Sequence, residues 1–194
     1  GELYPWLAGS DFCRTSLPGL ESVNGSVSLG SMNFSGPPND LTACSYQARG
    51  NIQDITLHQK GLPGPVRLES GTFALEDTKV NLNECRFRFL DGHGVVNGWV
   101  GRDHDRAPNL DLSYEGTLGT VALDWLTVLA GVPKALKIQA PLEVSRSRIV
   151  RTQQAFQCEL KGLANNSVHL DLSWTPGELE ISNLEIQDRV SQTT

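Results

Sequence analysis

Apolar residues in this chain seldom form runs; most stand singly at alternate positions with polar residues between them. An extended backbone turns successive side chains to opposite faces, so this period predicts strands with one apolar face. The clearest case is Cys85-Arg86-Phe87-Arg88-Phe89, with two rings on one side and two guanidinium groups on the other. Val23, Val27 and Leu29 share a parity, and Met32 and Phe34 take the opposite one, which predicts a bulge or turn near Gly30 and Ser31. Residues 46–57, with Ile52, Ile55 and Leu57, read as a pair of strands. Val66 and Leu68, Phe73 and Leu75, Val80 and Leu82, Leu110 to Tyr114 and Val168 to Trp174 repeat the habit. Turn residues punctuate it at 36–40 and 61–65, and Asp91-Gly92-His93-Gly94 signals a hairpin that returns through 95–100. The fold class expected is mainly β: an elongated, curved antiparallel sheet, an open trough of repeated strand modules with one or two short helices.

Two segments depart from period two. Val121, Trp125, Val128, Leu129 and Val132 fall near helical spacing, with Thr120 placed to cap the start and Gly131 and Pro133 to end it. Leu3, Pro5, Trp6 and Leu7 predict a shorter helical turn of the same kind.

The sequence also repeats. Residues 17–29 align without a gap on 132–144, so that Pro18 meets Pro133, Val27 meets Leu142, Leu29 meets Val144 and, further on, Phe34 meets Ile149. Each copy follows a Trp-Leu pair, Trp6-Leu7 and Trp125-Leu126. Residues 65–77 align on 176–188 at a slightly different offset, with Leu68 on Leu179 and Leu75 on Ile186. This organisation predicts a first β-module over 1–118, with an N-terminal short helix, and a truncated second copy over 119–194. Each unit of such an array buries its apolar face against its neighbours.

Composition narrows the function classes. Of 194 residues 39% are apolar and 7% aromatic, and 16 basic residues face 22 acidic ones for a formal charge of −6. No basic stripe is present, so nucleic acid is not an expected partner. No stretch approaches the about 18–20 apolar residues of a membrane span, and the chain reads as a piece of a longer protein. Cys13, Cys44, Cys85 and Cys158 form no C-x-x-C pair and have no His at metal-ligand spacing, so they read as buried thiols on strands, with disulfides open in an oxidising compartment. His58, His93, His104 and His169 are scattered, and no nucleophile elbow, zinc-protease helix or phosphate loop occurs. Asp103-His104-Asp105 reads as a solvated hairpin tip rather than a metal site, and Arg86 and Arg88 as a solvated face. No catalytic residue, metal or cofactor is therefore expected, and the chain is not expected to be an enzyme.

What remains is the apolar face itself. Val27, Leu29, Phe34, Leu68, Leu75, Leu82, Phe87, Phe89, Leu142, Val144, Phe156, Leu160, Leu170, Leu172, Leu179 and Ile186 would compose it. If two sheet layers close over these residues they are an ordinary core. If the sheet curls into an open trough they line an apolar groove, and an exposed strip of that size marks a binding site.

The run Leu3-Tyr4-Pro5-Trp6-Leu7, the strand repeat, residues 62–75 leading into 85–89, and Val95-Val96-Asn97-Gly98-Trp99 together resemble the AsmA-like family of Gram-negative envelope proteins (the AsmA, TamB and YhdP type). Leu123-Asp124-Trp125-Leu126 resembles the short helix that recurs in that family. The resemblance covers nearly the whole chain and rests on a pattern of strands rather than on a catalytic signature. It implies a curved sheet with an apolar concave face, in the periplasm, within a parent anchored in the inner membrane. It further implies phospholipid or another acyl-chain lipid as partner, conducted toward the outer membrane, with envelope proteins as further partners. The family carries no catalytic residues to transfer. Four cysteines exceed what its pattern requires. The alternative from another class is a structural or protein-interaction β-scaffold of the envelope, pairing through its sheet edges and holding no lipid. A carbohydrate-binding sandwich would need exposed aromatics gathered on one polar face, and the four Trp are too dispersed for it.

Overall fold

A computed structural model describes residues 20–37, 45–76, 79–102, 108–129, 140–152, 155–164, 168–175 and 178–186. Ten strands follow one another: β1 Leu20–Ser35, β2 Ser45–Gln59, β3 Val66–Glu76, β4 Lys79–Phe89, β5 Gly92–Arg102, β6 Pro108–Leu118, β7 Leu142–Arg151, β8 Phe156–Ala164, β9 Val168–Thr175 and β10 Glu178–Ile186. They form a single antiparallel sheet in sequence order, open and not closed into a barrel. One helix, α1 Thr120–Leu129, stands between β6 and β7 among the described residues. The N-terminal helical turn, Gly131, Pro133 and residues 103–105 lie outside the described residues.

Several segments that break the alternation are single strands. Residues 46–57 belong to one strand, β2, not to two, and Val66, Leu68, Phe73 and Leu75 all lie on β3. The reason is the β-bulge. One extra residue on a strand reverses the parity of everything beyond it while the ladder continues. Extra residues sit at Glu21 and Gly30 in β1, Asp54 in β2, Glu69 in β3, Glu84 in β4, Ser145 in β7 and Ser182 in β10. Asp54 and Glu84 take φ of 48° and 50°, the left-handed conformation that lets one residue drop out of the ladder. The amide freed at Glu84 is not left bare: it donates to Asn97 Oδ1 at 2.7 Å.

The bulge expected near Gly30 is present and keeps Met32 on the face of Val27 and Leu29. The β7 bulge at Ser145 falls where the gap-free alignment of 17–29 on 132–144, carried on, puts the counterpart of Gly30. The second alignment, of 65–77 on 176–188, joins β3 to β10, which run in opposite directions in the sheet.

Packing concentrates at one end of β6, β7 and β8. Leu118, Leu142 and Ala164 stand opposite one another there, and with Val144, Ala122 and Leu123 they make the buried cluster beneath α1. The helix start is fixed from a distance. The Asp91 carboxylate, on the β4–β5 turn, accepts from the Val121 and Ala122 amides, both at 2.9 Å. Thr120, the residue placed to cap by its position in sequence, is instead the first residue of the helix. An anion at a helix N-terminus satisfies amides that have no partner within the helix and also meets the positive end of its dipole. Trp125 then meets Phe89 edge-on, centroids 5.1 Å apart, which ties the helix to β4.

The Val121 amide, foremost among several backbone donors, holds the Asp91 carboxyl below its usual range. A carboxyl depressed in the folded state stabilises above its unfolded pKa and loses that contribution as pH falls through the folded value. Asp91→Ala should therefore lower stability at neutral pH by about 1 kcal/mol. In urea titrations the gap from the unsubstituted chain should close at pH values below the ordinary carboxylate range.

Candidate functional site

Residues paired across a ladder point to the same face, so the register fixes which side chains share it. Leu29 stands opposite Gly50, Gly50 opposite Phe73, Phe73 opposite Leu82, Leu82 opposite Gly98 and Gly98 opposite Leu112. The row goes on through Ile149, Cys158 and Trp174 to Leu179. A second row runs Cys85, Val96, Tyr114, Ser147, Leu160, Leu172 and Ile181. All the residues expected on the apolar face fall on one face of the sheet: Val27, Leu29, Phe34, Leu68, Leu75, Leu82, Phe87, Phe89, Leu142, Val144, Phe156, Leu160, Leu170, Leu172, Leu179 and Ile186.

They are not equally open. Leu142, Val144 and Leu170 are 1%, 3% and 2% exposed, so the first two belong to the packed cluster and none of the three offers surface to a ligand. Leu75, Leu82, Phe87, Phe89, Phe156, Leu160 and Leu172 are half-buried. Leu29 is 54% exposed, as are Met32 at 57% and Leu184 at 52% near the two edges of the sheet.

Glycine lets side chains meet across this face at its centre. Phe87 and Tyr114 lie on β4 and β6, which flank β5, yet their rings meet edge-on at 5.5 Å. Next-nearest strands stand about 9–10 Å apart, so both rings lean over β5. They do so at Gly94, where a Cβ would run into the Tyr114 ring and the Glu115 carbonyl. The Tyr114 hydroxyl lies 3.1 Å from the carbonyl oxygens of both His93 and Thr117 and shares its proton between them; burial pushes its pKa to about 12.

The opposite face is mostly polar and carries three ion pairs among the described residues. Arg88 pairs with Glu69 at 2.9 Å, Arg148 holds Asp111 with two hydrogen bonds at 3.0 and 2.8 Å, and Lys161 reaches Asp171 at 3.3 Å. Lys79 sits 4.5 Å over the Trp99 ring. Arg148 keeps Asp111 below the usual carboxylate range. The wide depressions of this face, one of about 620 Å³ bordered by Thr117, Glu143, Lys161 and His169, are open to solvent. No group of His, Cys, Asp and Glu suited to a metal occurs among the described residues.

Two features of the apolar face were missed in the sequence. The glycines opposite large side chains, Gly94 and Gly162 among them, gave no hydrophobic signal. Arg151 follows Ile149 at alternate spacing, so its place on the face was available from the phase of β7. It stands opposite Leu110 and Phe156, exposed, and is the one charged residue on this face whose side chain is described.

Cys85 and Cys158 are unpaired and on the apolar face; Cys13 and Cys44 lie outside the described residues. Comparison with family models, curated proteins and solved structures finds no match for this chain. Burial raises both thiol pKa values, and Cys85 is fully enclosed. Since the thiolate is the reactive form, iodoacetamide should label Cys85 at least about tenfold more slowly in the native chain than in urea, with Cys158 between, as read by peptide mass spectrometry.

Proposed function

We propose that this chain is a periplasmic segment of an AsmA-like envelope protein. In this reading its apolar β-groove binds or conducts phospholipid acyl chains between the inner and outer membranes, within a parent anchored in the inner membrane. The observation that carries the proposal is the register: ten consecutive strands put most of their apolar residues on one face of one open sheet. Outside the cluster under α1, no second layer of described residues covers that face. An acyl chain asks for a continuous apolar strip and little directional chemistry. Burying a methylene contributes about 0.8 kcal/mol, so a long chain gains on the order of 10 kcal/mol before ordering costs.

The scaffold reading draws on a different observation: β1 and β10 have no outer partner strand among the described residues, and free edges are pairing surfaces. It makes no use of the apolar face.

Native mass spectrometry with lipid extraction, on the chain purified gently from a Gram-negative host, separates the two. Co-purifying phospholipid is expected, lost in Leu172→Asp while the circular dichroism of the sheet is retained. Added phospholipid should also slow alkylation of Cys158 without changing the rate at Cys85. A lipid-free chain whose Cys158 is indifferent to phospholipid would leave the scaffold standing.

A further inference from the structure

The trough has two rims, formed by the two sets of strand ends, and over β6–β8 they are unlike. At one rim α1 lies across the face, with Leu118, Leu142 and Ala164 packed beneath it. At the other rim of the same strands no described helix covers the face, and there stands Arg151. At the end of β7 Val150 points to the polar side, as Val95, Trp99 and Leu163 do on other strands, and Arg151 points to the apolar side, between Leu110 and Phe156. No carboxylate pairs with Arg151 among the described residues; Arg49, Arg67, Arg86 and Arg146 lack one too, but they stand on the polar face, whereas Arg151 stands among apolar side chains. An unpaired guanidinium is costly on an apolar surface unless its head reaches water, and a long stem at a rim allows that. Phe156 and Trp174 meet edge-on at 5.0 Å beside it, and such rings suit a boundary between apolar surface and water.

We infer that Arg151 binds the phosphate of a phosphate-headed lipid at the open rim, so that lipids in this section lie with their heads at the rim opposite α1. The inference rests on the acyl-chain reading above. Guanidinium matches a phosphate with paired donors, which a neutral lipid head cannot use. The filled end under α1 closes the other route, since a tail entering there would have to displace the buried cluster.

The test is displacement of a neutral pyrene-labelled alcohol from the 194-residue chain by phosphatidic acid and by diacylglycerol with the same acyl chains. The unsubstituted chain should bind phosphatidic acid about tenfold more tightly than diacylglycerol. Arg151→Gln should remove that preference, to within about twofold, and leave the diacylglycerol affinity unchanged. Arg151→Lys should keep part of it, and Arg49→Gln, on the polar face, all of it. Inorganic phosphate alone should displace neither probe nor lipid. A preference that survives Arg151→Gln overturns the assignment, as does competition by inorganic phosphate, which would make this a site for the free anion. Equal affinity for both lipids sinks the head-group site and leaves the groove standing; no binding of either lipid sinks both.

Discussion

A single sheet ten strands wide satisfies its backbone through its ladders but, among the described residues, has no second layer beyond α1 on which to place its apolar side chains. Every strand must therefore put those side chains on the same side, and a parity error in one strand would bury charges there and expose rings on the other side. Most apolar side chains meet that demand across the whole width, from Val27 and Leu29 on β1 to Ile181 and Leu184 on β10, with Val95, Trp99, Val150 and Leu163 among the exceptions. Six strands meet it with an inserted residue, and none of the six keeps simple alternation from end to end. Bulges add twist and bend wherever they occur, so the device that preserves the face also curves it.

Small residues do the rest. Gly94 beneath the Phe87–Tyr114 contact lets rings from two strands meet across a third, which fills the face at its middle. Asp91 then brings α1 over one end through two amide hydrogen bonds, although it belongs to a hairpin two strands away from β7. Between them these contacts divide one apolar face into a packed part under the helix and an accessible remainder.

Much of the architecture was legible in the sequence because period two is a local signal. The alternation at Cys85–Phe89, the parity change at Gly30 and the helical spacing after Thr120 each depend on a handful of neighbouring residues. What escaped depends on distance. Asp54 looks like an ordinary polar residue, and only its left-handed φ turns an apparent pair of strands into one. Asp91 caps a helix some thirty residues on, which no N-terminal signature reveals. Leu142, Val144 and Leu170 read as groove residues by the same alternation as Leu172, yet their burial sets them apart. The rim position of Arg151 was readable in phase, but its significance depends on which end α1 covers.

The connection between β6 and β7 holds a wider consequence. Leu118 and Leu142 are ladder partners although a helix and its flanking residues stand between them in the chain, so the pairing does not require a tight turn. The same holds in principle at every turn along either rim. Strands set the width and polarity of the face, and connections decide where it is roofed. A sheet built this way can acquire, lose or relocate a roof by changes confined to one turn, without renegotiating a single hydrogen bond of the floor.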